Sequence, residues 1–350
     1  MYSLLGILAI VLLVVILFQL SKATELVGGM EGEEIANDRN NKLQAGLFLL
    51  TLVFGMIGIF WSSYYYSEFF LFLKEPAAEH SALIKGMYYQ TLFAIVPIFV
   101  FTHILLFAFA YKYKQDRTRL AKFYPDNGKL EMFWILVPAV VMIFLVYQGI
   151  VNWYKITGPA PENALVIEAT AQQFKWDIRY SGQDGKLGVK DISLMNPDPD
   201  LAKGEEMNPW GQNWDDKSNM DDFFAADSIL LPVNRPIKVK INSLDVLHSF
   251  YLPEFNVKMD AVPGIPTQFV FTPTKTSAQR QEELNNPEFI YELACTELCG
   301  KAHFNMRREV YVVEPDVYEA WVKRQKPLYQ TLKEATAGDT TEVKKGVAGI

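Results

Sequence analysis

Only two of the 350 residues are cysteine, and they stand four apart as Cys295 and Cys299, so no disulfide framework organises this fold. A single bridge between the two is chemically possible. No Cys-x-x-Cys-His occurs, which excludes a covalently attached c-type haem. Basic residues are the minority: 33 Lys and Arg against 40 Asp and Glu leave a net charge of -7. That balance argues against a nucleic-acid partner, which calls for basic patches, and suits a soluble face that meets a basic partner. Strands nowhere alternate with helices in the manner of a parallel α/β sheet.

Apolar residues make up 50% of the chain and are spread unevenly. Long runs fill the N-terminal half at Tyr2 to Leu20, Ala45 to Trp61, about Tyr89 to Tyr111 and about Phe133 to Trp153. At 1.5 Å per residue each is long enough to cross most or all of a bilayer. The later runs are bordered by Trp or Tyr, which prefer the membrane interface. The first run has no Lys or Arg before it and no Ala-x-Ala after it, as a signal peptide would. Because the chain starts at Met1, it is expected to be retained as the first of four transmembrane helices. Lys112, Lys114, Arg117, Arg119, Lys122 and Lys129 lie between the third and fourth runs, against Lys74 and Lys85 between the second and third. The excess of cations predicts that the former loop is cytoplasmic and that both termini, with everything after Trp153, lie outside. His103 sits within the third run, where it either serves a function or hydrogen-bonds a neighbouring helix. His80, in an outside loop, is expected to be solvated.

After Trp153 the pattern becomes that of strands. Phe174, Trp176, Ile178 and Tyr180 alternate with Lys175, Asp177 and Arg179, and Ile237, Val239 and Ile241 alternate with lysines. Short runs follow at Ala164 to Ala169, Gln268 to Thr272, Phe289 to Leu293 and Glu309 to Val313, which predicts an antiparallel barrel or sandwich. Between Gly182 and Asp227, eleven acids face four lysines, with Pro197, Pro199 and Pro209 breaking regular structure. This reads as a surface insertion, either a solvated loop or a docking surface for a cationic or dedicated partner. A helical pattern runs from Asp316 to Leu332, and the end beyond Ala335 is expected to fray.

The chemistry is concentrated in Cys295-Thr296-Glu297-Leu298-Cys299-Gly300-Lys301-Ala302-His303-Phe304-Asn305-Met306. Two thiols, an imidazole and a thioether are soft and borderline ligands that together suit copper. A structural zinc site is the alternative, though zinc does not usually recruit methionine. His248, in Asp245-Val246-Leu247-His248-Ser249-Phe250, is the upstream candidate for a further strong ligand. Two thiolates could then hold two coppers, each with one histidine, with Met306 and the Glu297 carbonyl as weak outer ligands. Such a site suits electron transfer more than substrate chemistry.

The chain resembles subunit II of haem-copper cytochrome c oxidase. Cys-x-Glu-x-Cys-Gly-x-x-His-x-x-Met matches that family's binuclear CuA motif. Met259-Asp260-Ala261-Val262-Pro263-Gly264 and Asp245-x-x-His248-Ser249 match its flanking signatures, and Glu131-x-x-Trp134 with Pro138 matches a conserved membrane helix. The resemblance covers roughly Tyr89 to Pro315. It implies a cupredoxin-like all-β domain over residues 155–320, carrying the insertion 182–227, behind a membrane hairpin over 63–154. Residues 1–62 would be two extra helices with their loop, and 321–350 a helix end and tail. It further implies that His248, Cys295, Cys299, His303, Met306 and the Glu297 carbonyl bind the two coppers. The Glu297 side chain would reach a magnesium shared with subunit I. Glu131 would stand at the entrance of a proton path into subunit I, or be an acid favoured at a helix N-terminus.

Where the family reads Gln-Trp-x-Trp, this chain has Gln173-Phe174-Lys175-Trp176, so Phe174 replaces the usual surface residue for electron entry; Phe250 stands where tryptophan is common. Asp245, Phe174 and Trp176 are the candidates for donor docking and electron entry. Asp215, Asp216, Asp221 and Asp222 of the insertion are candidates for steering a cytochrome c or a dedicated membrane-bound cytochrome. The expected partners are oxidase subunit I and other oxidase subunits, membrane lipid and a respiratory supercomplex, at a bacterial inner membrane. The function implied is electron entry into a proton-pumping terminal oxidase, with dioxygen reduced in subunit I. The alternatives are a quinol oxidase subunit, which would have lost copper ligands, a membrane-tethered copper carrier, and a nitrous oxide reductase CuA domain, against which the four membrane helices argue.

Overall fold

The computed structural model describes residues 2–70, 76–196 and 208–337. Four long helices come first: α1 (Tyr2–Glu31), α2 (Glu33–Tyr66), α3 (Ser81–Lys112) and α4 (Gly128–Thr157). Each contains one of the apolar runs and continues past it. Among the described residues, three spans are long and apolar enough to cross a membrane: Glu33–Phe69, Ser81–Lys112 and Gly128–Thr157. The first run, predicted as a fourth, lies in α1 but is not one of the three. Pro97 and Pro138 sit inside α3 and α4, a placement tolerated far better in lipid-spanning helices than in water.

The chain divides into two units. One comprises residues 1–67 and 90–142. Within it Phe48 of α2 packs on Phe107 of α3 at 5.9 Å between ring centroids, and the amides of Asn37 and Asn41 donate to Gln115. His103 turns back on its own helix: Nδ1 lies 2.8 Å from the Phe99 carbonyl and the ring rests on Phe99. The carbonyl can only accept, so the proton sits on Nδ1. This is a local structural bond, within one helix rather than between two.

The other unit comprises residues 68–89 and 143–350. Its strands are β1 (Leu165–Gln172), β2 (Lys175–Tyr180), β3 (Phe223–Phe224), β4 (Ser228–Pro232), β5 (Ile237–Ser243), β6 (His248–Leu252), β7 (Val257–Ala261), β8 (Thr267–Phe271), β9 (Tyr291–Cys295) and β10 (Arg307–Val313). They form two five-stranded sheets, β3-β2-β1-β5-β8 and β4-β10-β9-β6-β7. Side chains such as Ile167, Trp176, Val239, Phe250, Leu293 and Val310 fill one core. The predicted antiparallel sandwich is present, except that β1 with β5 and β4 with β10 pair in parallel. Long excursions join those pairs, which is what a parallel connection requires.

The period-two reading of β2 is only half right. Alternation alone would leave Asp177 and Arg179 on a solvated face, yet they are 1% and 2% exposed. The insertion after β2 roofs that face. Arg179 donates to Glu168 on β1 (2.8 Å), to Asp222 (2.9 Å) and to the Gly188 carbonyl, Gln212 and Asn219. Lys190 pairs with the same Glu168 at 2.6 Å. Burial pushes the Glu168 carboxyl up, but Lys190 and Arg179 outweigh it and hold it below the usual carboxylate range. Gly188 passes so close to Asn219 that a Cβ there would fall 2.2 Å from its amide carbon. The described residues between Gly182 and Asp227 therefore form a folded cover with a buried ionic core. Asp198, Asp200, Glu205, Glu206, Pro197 and Pro199 lie outside the described residues.

Two further expectations change, and one short helix is added. The helical pattern from Asp316 to Leu332 is two helices, α6 (Pro315–Val322) and α7 (Leu328–Ala337), because Pro327 cannot continue the first. α7 places Leu328 and Leu332 against Trp210 and Phe224, and the Leu328 N–H donates to the Asp222 carbonyl. The tail beyond Ala337 lies outside the described residues. A short helix, α5 (Ser277–Glu283), carries a Thr276–Gln279 capping box that pattern reading passed over. His80 is packed rather than solvated: Nε2 lies 3.4 Å from the Asn256 carbonyl, the ring meets Phe269 edge-on, and burial holds the imidazole below its ordinary pKa. Backbone bonds from Ala77 to Glu254, from Glu79 to Thr272 and from Thr274 to Ala77 knit the approach to α3 onto the sheet edge.

Removing the Arg179 charge strands Glu168 and Asp222 in the interior. Arg179→Leu is expected to cost on the order of 3–5 kcal/mol, read as a lowered denaturant midpoint for the β-sheet signal of the purified protein.

Candidate metal centre

β9 ends at Cys295 and β10 begins at Arg307, and the intervening loop closes on itself. The Cys295 N–H donates to the Met306 carbonyl, Thr296 N–H to the Ser249 carbonyl, and Met306 N–H to the His303 carbonyl through a single 3-10 turn, His303–Asn305. The chain turns at Gly300 with φ of 140°, where a Cβ would strike the Phe174 ring at 2.9 Å. Phe174 and Gln173 form the two-residue turn between β1 and β2, and the Gln173 amide donates to the Cys299 carbonyl. That turn thus buttresses the loop, a position no sequence pattern reveals.

The loop brings its sulfurs together with His248 at the start of β6. Cys295 Sγ lies 3.9 Å from His248 Nδ1, and Cys299 Sγ lies 3.6 Å from His303 Nδ1 and 3.4 Å from Met306 Sδ. The Cys295 thiol reaches the Glu297 carbonyl at 3.2 Å. The ligand atoms of His248, Cys295 and Cys299 fall within 4.8 Å of one another. All six predicted donors therefore converge, with His248, both cysteines and Met306 buried and His303 half-buried. Each sulfur has its own imidazole, and the soft donor set fits copper.

Asp245 stands behind His248. Its Oδ1 lies 2.9 Å from His248 Nε2 and also accepts the Val246 N–H, while Oδ2 accepts the Gln173 N–H at 2.6 Å. Burial pushes the Asp245 carboxyl up, but these three bonds prevail and hold it below the usual range. A carboxylate at Nε2 draws the ring proton there and leaves the Nδ1 lone pair facing Cys295. Sequence reading had put Asp245 on the donor side and missed this orienting bond. Without metal, burial and the neighbouring Cys295 sulfur push the Cys299 thiol up to about 11.

The other candidates lie as follows. Trp176 is fully buried beneath the centre, its ring edge-on to His248 at 6.2 Å and to Phe250 at 5.5 Å, and it presents nothing at the surface. Phe174 is partly buried against Gly300. The Glu297 side chain is exposed, as are Leu298 and Phe304 at 80% and 78%. Glu131 is exposed in the first turn of α4, where its carboxylate receives the Asn127 N–H and the Asn127 side chain caps Leu130, which is how an acid stabilises a helix start. Of the four acids proposed to steer a donor, Asp222 is 0% exposed and bound to Arg179, so it carries no surface charge. Asp216 and Asp221 are occupied by backbone N–H groups, from Val189 and Ser218 and from Gln183 and Asp184. Outward charge on the described part of the insertion rests with Asp184, Asp191, Asp215 and Asp227.

Two buried thiols, one of them hard to ionise, resist alkylation. In metal-free folded protein at pH 7.5, iodoacetamide should modify Cys299 more than about a hundredfold slower than free cysteine, and unfolding in urea should abolish the difference, as peptide mass mapping would show.

The comparisons with known proteins fall on the same segments. The family described as "Cytochrome C oxidase subunit II, periplasmic domain" matches residues 165–313, and "Cytochrome C oxidase subunit II, transmembrane domain" matches 66–149. Among curated relatives, the alternative cytochrome c oxidase subunit 2 of Bradyrhizobium diazoefficiens is 36% identical over 65% of this chain and 76% of its own length. Cytochrome c oxidase subunit 2 of Cereibacter sphaeroides is 27% identical over 71% of this chain and 77% of its own. A crystal structure of the periplasmic domain of cytochrome oxidase subunit II from Bradyrhizobium japonicum covers 47% of this chain and 94% of its own at 29% identity, with a TM-score of 0.30. The protein is membrane-anchored with an extracytoplasmic β domain, and it associates with other oxidase subunits in an oxidoreductase complex. By a relative 36% identical across three quarters of its length, and by two adjoining family matches, the chain belongs to the cytochrome c oxidase subunit II family.

Proposed function

We propose that the chain is the electron-entry subunit of a proton-pumping terminal oxidase in a bacterial inner membrane, holding a binuclear CuA centre. It would accept electrons from a cytochrome c donor and pass them to the haem of subunit I. The observation that carries this reading is the convergence of two thiols on two imidazoles, one pair at 3.9 Å and the other at 3.6 Å. When bound, the copper pair supplies a one-electron carrier of low reorganisation energy. The chain supplies the rest: Asp245 fixes the His248 tautomer, the Met306 thioether sits buried beside Cys299, and the folded loop excludes water from both sulfurs. The exposed Glu297 carboxylate would extend to a magnesium shared with subunit I, an oxygen ligand suited to that ion. Glu131 would serve a proton entrance from the start of α4. A soluble donor would meet the domain near the centre, helped by the exposed acids of the insertion, and a supercomplex would bring a membrane-bound donor to the same face.

Ligand burial argues against a copper carrier, which needs labile, accessible donors. Retention of all six donors argues against a quinol oxidase subunit.

Metal analysis with EPR of the purified protein should give two coppers per chain sharing one unpaired electron; a single copper with a blue-type spectrum overturns the binuclear assignment. Met306→Leu should keep both coppers and raise the reduction potential, because it exchanges a weak donor for hydrocarbon beside the oxidised centre. Loss of copper in that variant would make Met306 a holding ligand.

A further inference from the structure

The two helical ends that meet around Gln115 enclose a cavity of about 480 Å³, remote in sequence from every copper ligand. Its walls carry five cations, Lys42 on α2, Lys112 at the end of α3, and Lys114, Arg117 and Arg119 on the following loop, against Asp38 and Asp116. The loop is held in shape rather than draped. Arg119 folds back to donate to the Lys112 and Lys114 carbonyls, Asp116 receives the Thr118 N–H and hydroxyl, and Asn37 and Asn41 reach across from α2 to Gln115. Asp38 is engaged with Lys42 at 2.9 Å, and Arg117 with Glu34 at 2.6 Å. Lys112 and Lys114 rest on Tyr113 and Tyr111, Lys114 also donates to the Tyr111 carbonyl at 3.3 Å and feels the Asp116 carboxylate, and among the described residues neither makes a salt bridge. Two ammonium groups outside any salt bridge thus line a cavity whose net charge is positive.

We infer that this cavity binds the phosphate of an anionic phospholipid headgroup. A soluble anion would need only the cations. A phospholipid also needs apolar surface for its chains, and the same helices carry exposed Leu43, Leu47, Leu106 and Phe109 within roughly two turns of the lysines. Basic pockets at the ends of spanning helices, with aromatic neighbours at the interface, have the chemistry to retain such lipids. α2 lies outside the stretch shared with the family's copper-binding domain, so the site gives one of the added N-terminal helices a role as half of a lipid clamp.

The test is native mass spectrometry of the full-length protein taken from nanodiscs that hold equal phosphatidylglycerol and phosphatidylcholine. The wild type should retain phosphatidylglycerol in preference by about tenfold. Lys112→Gln/Lys114→Gln should bring the ratio near parity, Lys42→Gln on the other helix should lower it separately, and Lys85→Gln at the opposite end of α3 should leave it unchanged. Far-UV circular dichroism checks that helices persist in each variant. The proposal fails if the double variant keeps the preference, if Lys85→Gln loses it equally, or if millimolar inorganic phosphate displaces the lipid, which would make this a free-phosphate site.

Discussion

The antiparallel register of β6 and β9, with Phe250 opposite Cys295, is the constraint on which the centre depends. His248 starts one strand and Cys295 ends the other, so that register sets the imidazole beside the first sulfur. A slip by one residue would turn His248 to the far face of the sheet. The register is secured from below, where Trp176, Phe250 and Leu293 are fully enclosed and tolerate no rearrangement. The loop from Cys295 to Met306 can therefore be short and tightly turned, since strands and core have already fixed its two ends.

A second buried constraint, around Arg179, governs the opposite face of the sandwich. Its guanidinium gathers the carboxylate of β1, a carboxylate from the end of the insertion, and three further acceptors in between. A guanidinium offers five donors in a rigid fork, and nearly all are used here. The described part of the insertion is thereby held from inside, and Asp216, Asp221 and Asp222 are spent on its own backbone. Among the described residues, surface acidity counted from composition overstates what a partner would meet.

How much was legible in the sequence differs by kind of information. The candidate donors Cys295, Cys299, His303 and Met306 stand out in the sequence because their chemistry resides in residue type and their spacing in one loop. His248 followed because few histidines exist to choose from. The membrane helices were readable from apolar length alone. What could not be read depended on contacts made across the fold. Asp245 lies three residues before His248, and nothing local says that the turn will bring its carboxylate to Nε2. Asp177 and Arg179 look like a solvated strand face until a segment some forty residues on covers them. His80 looks like a loop residue until β8 and the turn after β6 supply Phe269 and the Asn256 carbonyl.

The bond from Leu328 to the Asp222 carbonyl has a consequence for biosynthesis. α7 follows the insertion by roughly a hundred residues of chain, and in between come β4 to β10 with the whole Cys295–Met306 loop. Trp210 and Phe224 pack against Leu328 and Leu332, so this side of the domain cannot close until α7 has been made. Every candidate metal donor thus lies upstream of α7, and closing the acidic cover waits on the last described helix of the chain.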